Sequence, residues 1–81
     1  MLEYELLGIV DGVATYQYYP DGDRENPGMV RFDSNFKMID YTPSKEDPGA
    51  YYASKLFHWF ERRGKFDDSG FIAWGYPSPT N

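Results

Sequence analysis

The sequence predicts an α+β fold in the order β-β-β-β-α-β, a five-stranded, mainly antiparallel sheet with one helix packed on one face. Two observations lead to this class. Asp11-Gly12 separates two apolar runs and is typical of a hairpin, because a type I′ turn needs positive φ at both central residues. A single amphipathic helical stripe follows four strand-like segments. Since a meander of strands cannot bury a face by itself, that helix is expected to lie across it.

The first two strands form the hairpin over 4–19. If Asp11-Gly12 is the turn, Ile9 faces Ala14 and Leu7 faces Tyr16. Alternation along each strand then divides the side chains between two sheet faces. One face carries Leu7, Ile9, Ala14, Tyr16 and Tyr18, and the other carries Tyr4, Leu6, Val10, Val13 and Tyr19.

After a loop over 20–28, a third strand is predicted over 29–33 and a fourth over 36–41. Asp33-Ser34-Asn35 provides the turn between them. The register of the fourth strand is open by one residue, because Asn35 can take the left-handed conformation in a bulge.

A helix is predicted over 48–63, with Asp47 as N-cap and Pro48 at the first helical position. Gly64 is a typical C-terminal signal after the basic pair that precedes it. Leu56 and Phe60 lie in the centre of the apolar stripe and are expected in the core. The whole stripe comprises Tyr52, Ala53, Leu56, Phe57, Trp59 and Phe60.

The fifth strand is predicted over 71–74, antiparallel beside the first strand, which gives the sheet order 5-1-2-3-4. The alternative is a parallel place beside the fourth strand, reached by a right-handed crossover. One domain is expected over 1–76, followed by a frayed tail over 77–81 that has no apolar anchor.

Composition narrows the classes of function. The 81 residues include no cysteine, which excludes disulfides and thiolate metal sites. A net charge of −5 disfavours nucleic acid and anionic membranes as partners. The N-terminus has no signal-peptide pattern, so a cytoplasmic location is expected.

No pattern in the chain identifies a catalytic residue, a metal ligand or a cofactor site. Asp21-Gly22-Asp23 opens like a calcium loop, but the later ligand positions are missing, which favours a solvated turn. Ser54 and His58 share a helix face without an oxyanion hole or an orienting acid. The pairs 46–47 and 67–68 have structural roles beside a helix start and a turn. The protein is therefore predicted not to be an enzyme, with a small enzyme around His58 as an alternative.

Arg62, Arg63 and Lys65 form the only basic cluster, and they are a candidate patch for an anion or an acidic partner. Complementing the negative end of the helix dipole is the favoured role. An alternative function for the whole protein is that of a nucleic-acid accessory protein, which would use this basic patch. Tyr16 and Tyr18, with Phe71 or Trp74, would then form an exposed platform on which bases stack. Burial of these aromatic residues in the core is the preferred interpretation.

Several segments resemble a group of short uncharacterised bacterial proteins of the Firmicutes type. They are the opening Tyr4-Glu5-Leu6-Leu7-Gly8, the hairpin with Tyr16-Gln17-Tyr18-Tyr19-Pro20-Asp21-Gly22, and the closing Gly70-Phe71-Ile72-Ala73-Trp74. The resemblance covers most of the chain. It implies a stand-alone bacterial protein and carries over no catalytic or binding residue.

A sheet covered by one helix leaves its other face open, which predicts a non-catalytic interaction module. The face expected to be open carries Tyr4, Leu6, Val10, Val13 and Tyr19. In the alternative the faces are exchanged, and Tyr16 and Tyr18 point outward. Either way, the expected occupant is a protein partner or a second copy in a weak homodimer.

Overall fold

The computed structural model describes residues 1–73. Its elements are β1 Leu2–Val10, β2 Val13–Pro20, β3 Gly28–Phe32, β4 Met38–Thr42, α1 Tyr51–Arg63 and β5 Ser69–Ile72. The sheet order is β4-β3-β2-β1-β5, with every neighbouring pair antiparallel. The α+β class and the place of the last strand beside the first are confirmed, and the alternative beside the fourth strand is wrong. The predicted tail over 77–81, and Trp74 in the predicted fifth strand, lie outside the described residues.

The hairpin between β1 and β2 has the predicted turn but an unpredicted bulge. Asp11 has φ 53° and Gly12 has φ 80°, as a type I′ turn requires. Leu6 pairs with Tyr16 and Gly8 with Thr15, so Leu7 is an extra residue that opposes nothing. The predicted pairing of Leu7 with Tyr16 is therefore wrong. The bulge reverses the side-chain alternation in the first half of β1.

The strands beyond the hairpin are displaced by one or two residues from their predicted bounds. β3 begins at Gly28, and β4 begins at Met38, not at residue 36. Phe36, and not Asn35, takes the left-handed conformation in the turn between them, with φ 64°. The Asp33 carboxylate stabilises this turn, because it accepts hydrogen bonds from the backbone N–H groups that follow it.

Helix α1 begins three residues later than predicted. Ala50 precedes it in the left-handed conformation, so Asp47 is not the N-cap and Pro48 lies outside the helix. The carboxylate of Asp47 nevertheless accepts hydrogen bonds from the N–H groups of Tyr52 at 3.0 Å and Ala53 at 3.2 Å. It thus satisfies two donors of the first turn from outside the helix. The predicted end is confirmed, since Gly64 closes the helix with a bond to the Phe60 carbonyl.

The core lies between α1 and one face of the sheet. Leu56 and Phe60 are fully buried, as predicted. The Phe60 ring centroid lies 4.7 Å from that of Tyr16, 5.4 Å from that of Tyr4 and 5.6 Å from that of Phe32. Each ring buries a large apolar area and has few rotatable bonds, so a short chain gains much stability from a few such residues.

One row of this covered face, here called the tyrosine row, has two tyrosines between two glycines. Tyr4 and Tyr18 are paired across β1 and β2, and each has a glycine on its outer side. A Cβ atom on Gly28 would lie 2.4 Å from the Tyr18 ring, and one on Gly70 would lie 2.8 Å from the Tyr4 hydroxyl. The two tyrosine rings therefore lie over the backbone of the neighbouring strands.

Among residues 1–73 there is no helix with both the length and the apolar character needed to cross a bilayer.

Candidate interaction surface on the open sheet face

The open face of the sheet, on the side away from α1, is mainly polar. Its positions follow from the pairing register, which alternates them with the buried residues. Charged and polar side chains occupy most of the middle rows, where Met29 is an apolar exception that is 39% exposed. The other apolar side chains of this face lie at two opposite corners and at the β5 edge, where Phe71 is exposed. The middle rows carry Glu3, Glu5, Thr15, Gln17, Arg31, Asp40 and Thr42.

The corner near Tyr19 is covered by the protein's own side chains. The Arg24 guanidinium carbon lies 4.4 Å from the centroid of the Tyr19 ring, and Arg24 is ion-paired with Glu3. The Tyr19 hydroxyl donates to Glu5 at 2.8 Å. Burial, followed by this bond to Glu5, raises the pKa of Tyr19. Although Tyr19 is on the open face as predicted, only 4% of it is exposed.

The opposite corner is open and apolar. A groove of about 580 Å³ runs between the hairpin end and the edge strand β4. Val10 is 70% exposed and Ile39 is 52% exposed along it. Ile39 is the extra residue of a second bulge, because Arg31 pairs with Asp40 and Phe32 with Met38. This distal groove is lined by Val10, Asp11, Val13, Thr15, Arg31, Ile39 and Asp40.

Among the described residues, the lining of the distal groove includes one cation, Arg31, and two carboxylates, Asp11 and Asp40. Arg31 is ion-paired with Asp40 across β3 and β4, and about half of each side chain is exposed. The hydrogen bond from Arg31 and its charge lower the pKa of Asp40. Asp11, at the hairpin turn, makes no ion pair within residues 1–73. A guanidinium has five N–H donors, so Arg31 can take a second carboxylate.

The structure divides the predicted interaction face. Val10 and Val13 lie on the open face, but Tyr4 is buried in the core and Leu6 packs against it. Placing Tyr4 and Leu6 on the open face is wrong, because the bulge at Leu7 turns them toward the helix. The exchanged alternative is also wrong.

Burial rules out the stacking platform that was the alternative for Tyr16 and Tyr18, because both are fully buried. Phe71 is 63% exposed at the β5 edge of the open face, so it does not share a face with these buried rings. The preferred core interpretation of Tyr16 and Tyr18 is therefore confirmed. Stacking on a nucleic acid would require rings that are accessible.

The buried tyrosine hydroxyls join the sheet to the two segments that flank α1. Tyr4 and Tyr16 donate to the side chain and the carbonyl of Asp67, and Tyr18 donates to Asp47 at 3.1 Å. Burial raises the pKa of Tyr18 to about 12. Every buried side-chain nitrogen or oxygen of the described residues has a hydrogen-bond partner. The hydrogen bonds of these tyrosine hydroxyls are therefore part of the packing of the fold.

His58 is exposed on α1, and its Nδ1 lies 3.7 Å from a carboxylate oxygen of Glu61. No hydrogen bond joins it to Ser54 among the described residues. Over residues 1–73, no three His, Asp or Glu side chains lie close enough together to hold a metal ion. Neither Asp21 nor Asp23 belongs to such a group.

The predicted basic patch is split between two sides of the helix end. Arg63 lies 5.0 Å from the Trp59 ring and 3.3 Å from the Asp67 carboxylate, which Lys65 also approaches at 3.9 Å. Arg62 points elsewhere, into a groove between α1 and β5. The three side chains therefore do not form one continuous positive surface.

Comparisons of the chain with protein-family models, curated sequences and solved structures found no match. The resemblance to short Firmicutes-type proteins stays a prediction. A functional proposal must therefore depend on the chemistry of the surface itself.

Proposed function

We propose that this protein is a non-catalytic interaction module that associates through the distal groove of its open sheet face. The observation that carries the proposal is the exposure of Val10 and Ile39, 70% and 52%, beside a groove of about 580 Å³. Exposed apolar side chains within a polar border are typical of protein-binding surfaces. A cytoplasmic location is part of this proposal and is favoured by the cysteine-free sequence.

The occupant that fits the charges best is a second copy of the chain. In a two-fold arrangement the same patch meets itself, so each residue must find its complement within the patch. Asp11 of one copy can meet Arg31 of the other, while Val10 and Ile39 cover one another's apolar surface. Another protein with an apolar centre and a single carboxylate would suit the same groove.

Net charge predicts how such a homodimer responds to salt. Two copies that each carry a charge of −5 repel one another at long range. Salt screens this repulsion more than it weakens apolar contacts. Association is therefore expected to be weak at low salt and stronger at moderate salt.

Sedimentation velocity over a wide range of protein concentration tests the proposal. The double variant Val10→Thr, Ile39→Thr keeps β-branched side chains but lowers their apolar surface. The dissociation constant should rise about tenfold, since the two contacts together are worth roughly 1–2 kcal/mol. Phe71→Thr, at the opposite edge of the same face, is the matched control and should leave association unchanged.

Two results would count against this function. A strict monomer at high protein concentration and moderate salt would remove the homodimer. An equal effect of Phe71→Thr would show that association does not use the distal groove.

A further inference from the structure

A second groove, here called the helix groove, lies on the other side of the molecule, between α1 and β5. Its volume is about 280 Å³, roughly half that of the distal groove. Residues three, four and seven positions apart share one edge of a helix, which explains how four side chains of α1 reach it together. It is lined by Lys55, His58, Trp59, Arg62, Ile72 and Ala73.

The rim of the helix groove is basic in a chain that is acidic overall. Lys55 and Arg62 provide cations, and the imidazole of His58 provides a further N–H donor. Within residues 1–73, Glu61 is the acidic partner of His58, at 3.7 Å. Among residues 1–73, no carboxylate lines the groove.

Arg62 differs from the other three arginines of the chain. Arg24, Arg31 and Arg63 are each ion-paired with a carboxylate. Arg62 makes no ion pair within the described part of the chain. The helix dipole favours a cation at this end of α1. Lys55 lies nearly two turns earlier, and its ammonium is 5.2 Å from the centroid of the Tyr51 ring.

The floor of the helix groove is apolar and held in place. The Trp59 Nε1 donates to the Tyr4 hydroxyl at 3.2 Å, which fixes the plane of the indole. Ile72, on β5, is 7% exposed and completes the floor. A pocket with an apolar floor and a few convergent polar groups is the usual form of a small-molecule site.

We propose that the helix groove binds a small organic anion, a flat apolar body with one phosphate or carboxylate group. The planar guanidinium of Arg62 would bind two oxygens of the anionic group, and Lys55 would add a point charge. The apolar body would contact Trp59 and Ile72. This site is independent of the distal groove, which lies on the opposite face of the sheet.

Titration of naphthyl phosphate into the nitrogen-labelled full chain, followed by NMR, tests the proposal. The expected result is saturable shifts of the Trp59 indole and of the 55–62 amides. Inorganic phosphate lacks the body and naphthol lacks the charge, so each should bind about tenfold more weakly. If naphthol bound as tightly as naphthyl phosphate, the anionic group would not be recognised. If inorganic phosphate bound as tightly, the apolar floor would not contribute to binding. Either result would overturn the proposal.

A matched pair of variants separates the site from general electrostatics. Arg62→Gln and Lys65→Gln each remove one exposed positive charge near the end of α1, but only Arg62 lines the groove. Arg62→Gln should weaken naphthyl phosphate binding about tenfold, and Lys65→Gln should leave it unchanged. Equal weakening by both variants, or no shift at millimolar ligand, would overturn the proposal.

Discussion

The two faces of one sheet are held by different forces. On the covered face, the rings of Tyr4, Tyr16, Tyr18 and Phe32 are buried, and the tyrosine hydroxyls bond to segments on either side of α1. On the open face, ion pairs such as that of Arg31 with Asp40 join neighbouring strands at exposed positions. Exposed pairs contribute little to stability, whereas buried rings contribute several kcal/mol. Stability therefore resides on one face, which leaves the other free to carry a binding surface.

The largest contrast is expected between Leu56 and Val10. Leu56→Ala leaves a cavity beneath the fully buried ring cluster and should lower the free energy of unfolding by roughly 2–4 kcal/mol. Val10→Ala, at a position that is 70% exposed, should change it by less than about 0.5 kcal/mol. Denaturant titration of both variants measures the difference. An unchanged midpoint for Leu56→Ala would show that the two faces contribute alike.

A second contrast compares two glycines in neighbouring parts of the sheet. Gly28→Ala would place a Cβ atom 2.4 Å from the buried Tyr18 ring, and overpacking of this kind costs about 1–3 kcal/mol. Gly8→Ala has nothing within 4 Å of the new atom and should cost no stability. Thermal unfolding of the pair checks this, and equal losses would contradict the close packing of Tyr18.

The smallest effect is expected at the ion pair on the open face. Arg31 lowers the pKa of Asp40, so the folded state favours the carboxylate. This stabilisation is present above the unfolded-state pKa of about 3.9 and is lost as pH falls through the folded-state value. Arg31→Gln should slightly lower stability near neutral pH and flatten its decline in acid. Lys37→Gln is the control of equal charge, and an identical acid profile for both variants would show that the pair is not formed.

The parts of the fold that could be predicted have local chemical causes. Asp11-Gly12 allows positive φ at two successive residues, and the spacing of Leu56 and Phe60 matches one face of a helix. The helix was predicted to start too early because Asp47 followed by a proline has the sequence pattern of an N-cap. In the structure, Asp47 instead stabilises the first turn from outside the helix.

The bulges explain what could not be predicted of the surface. Leu7 and Ile39 are each one extra residue in a strand, and neither residue type marks a bulge. Because side chains alternate along a strand, one extra residue moves Tyr4 from the expected open face into the core. The bulge at Ile39 likewise brings that side chain to the open face, where Val10 and Val13 lie as predicted.

The two glycines beside the tyrosine row also bear on how the chain avoids misfolding. A slip of β3 by two residues would keep its apolar side inward but would bring Val30 opposite Tyr18 in place of Gly28. The ring that now lies over bare backbone would then meet a branched side chain. Gly70 opposes Tyr4 in the same way on the other flank. The tyrosine row thus disfavours, by steric clash, slipped registers of the strands on both sides of it while the sheet assembles.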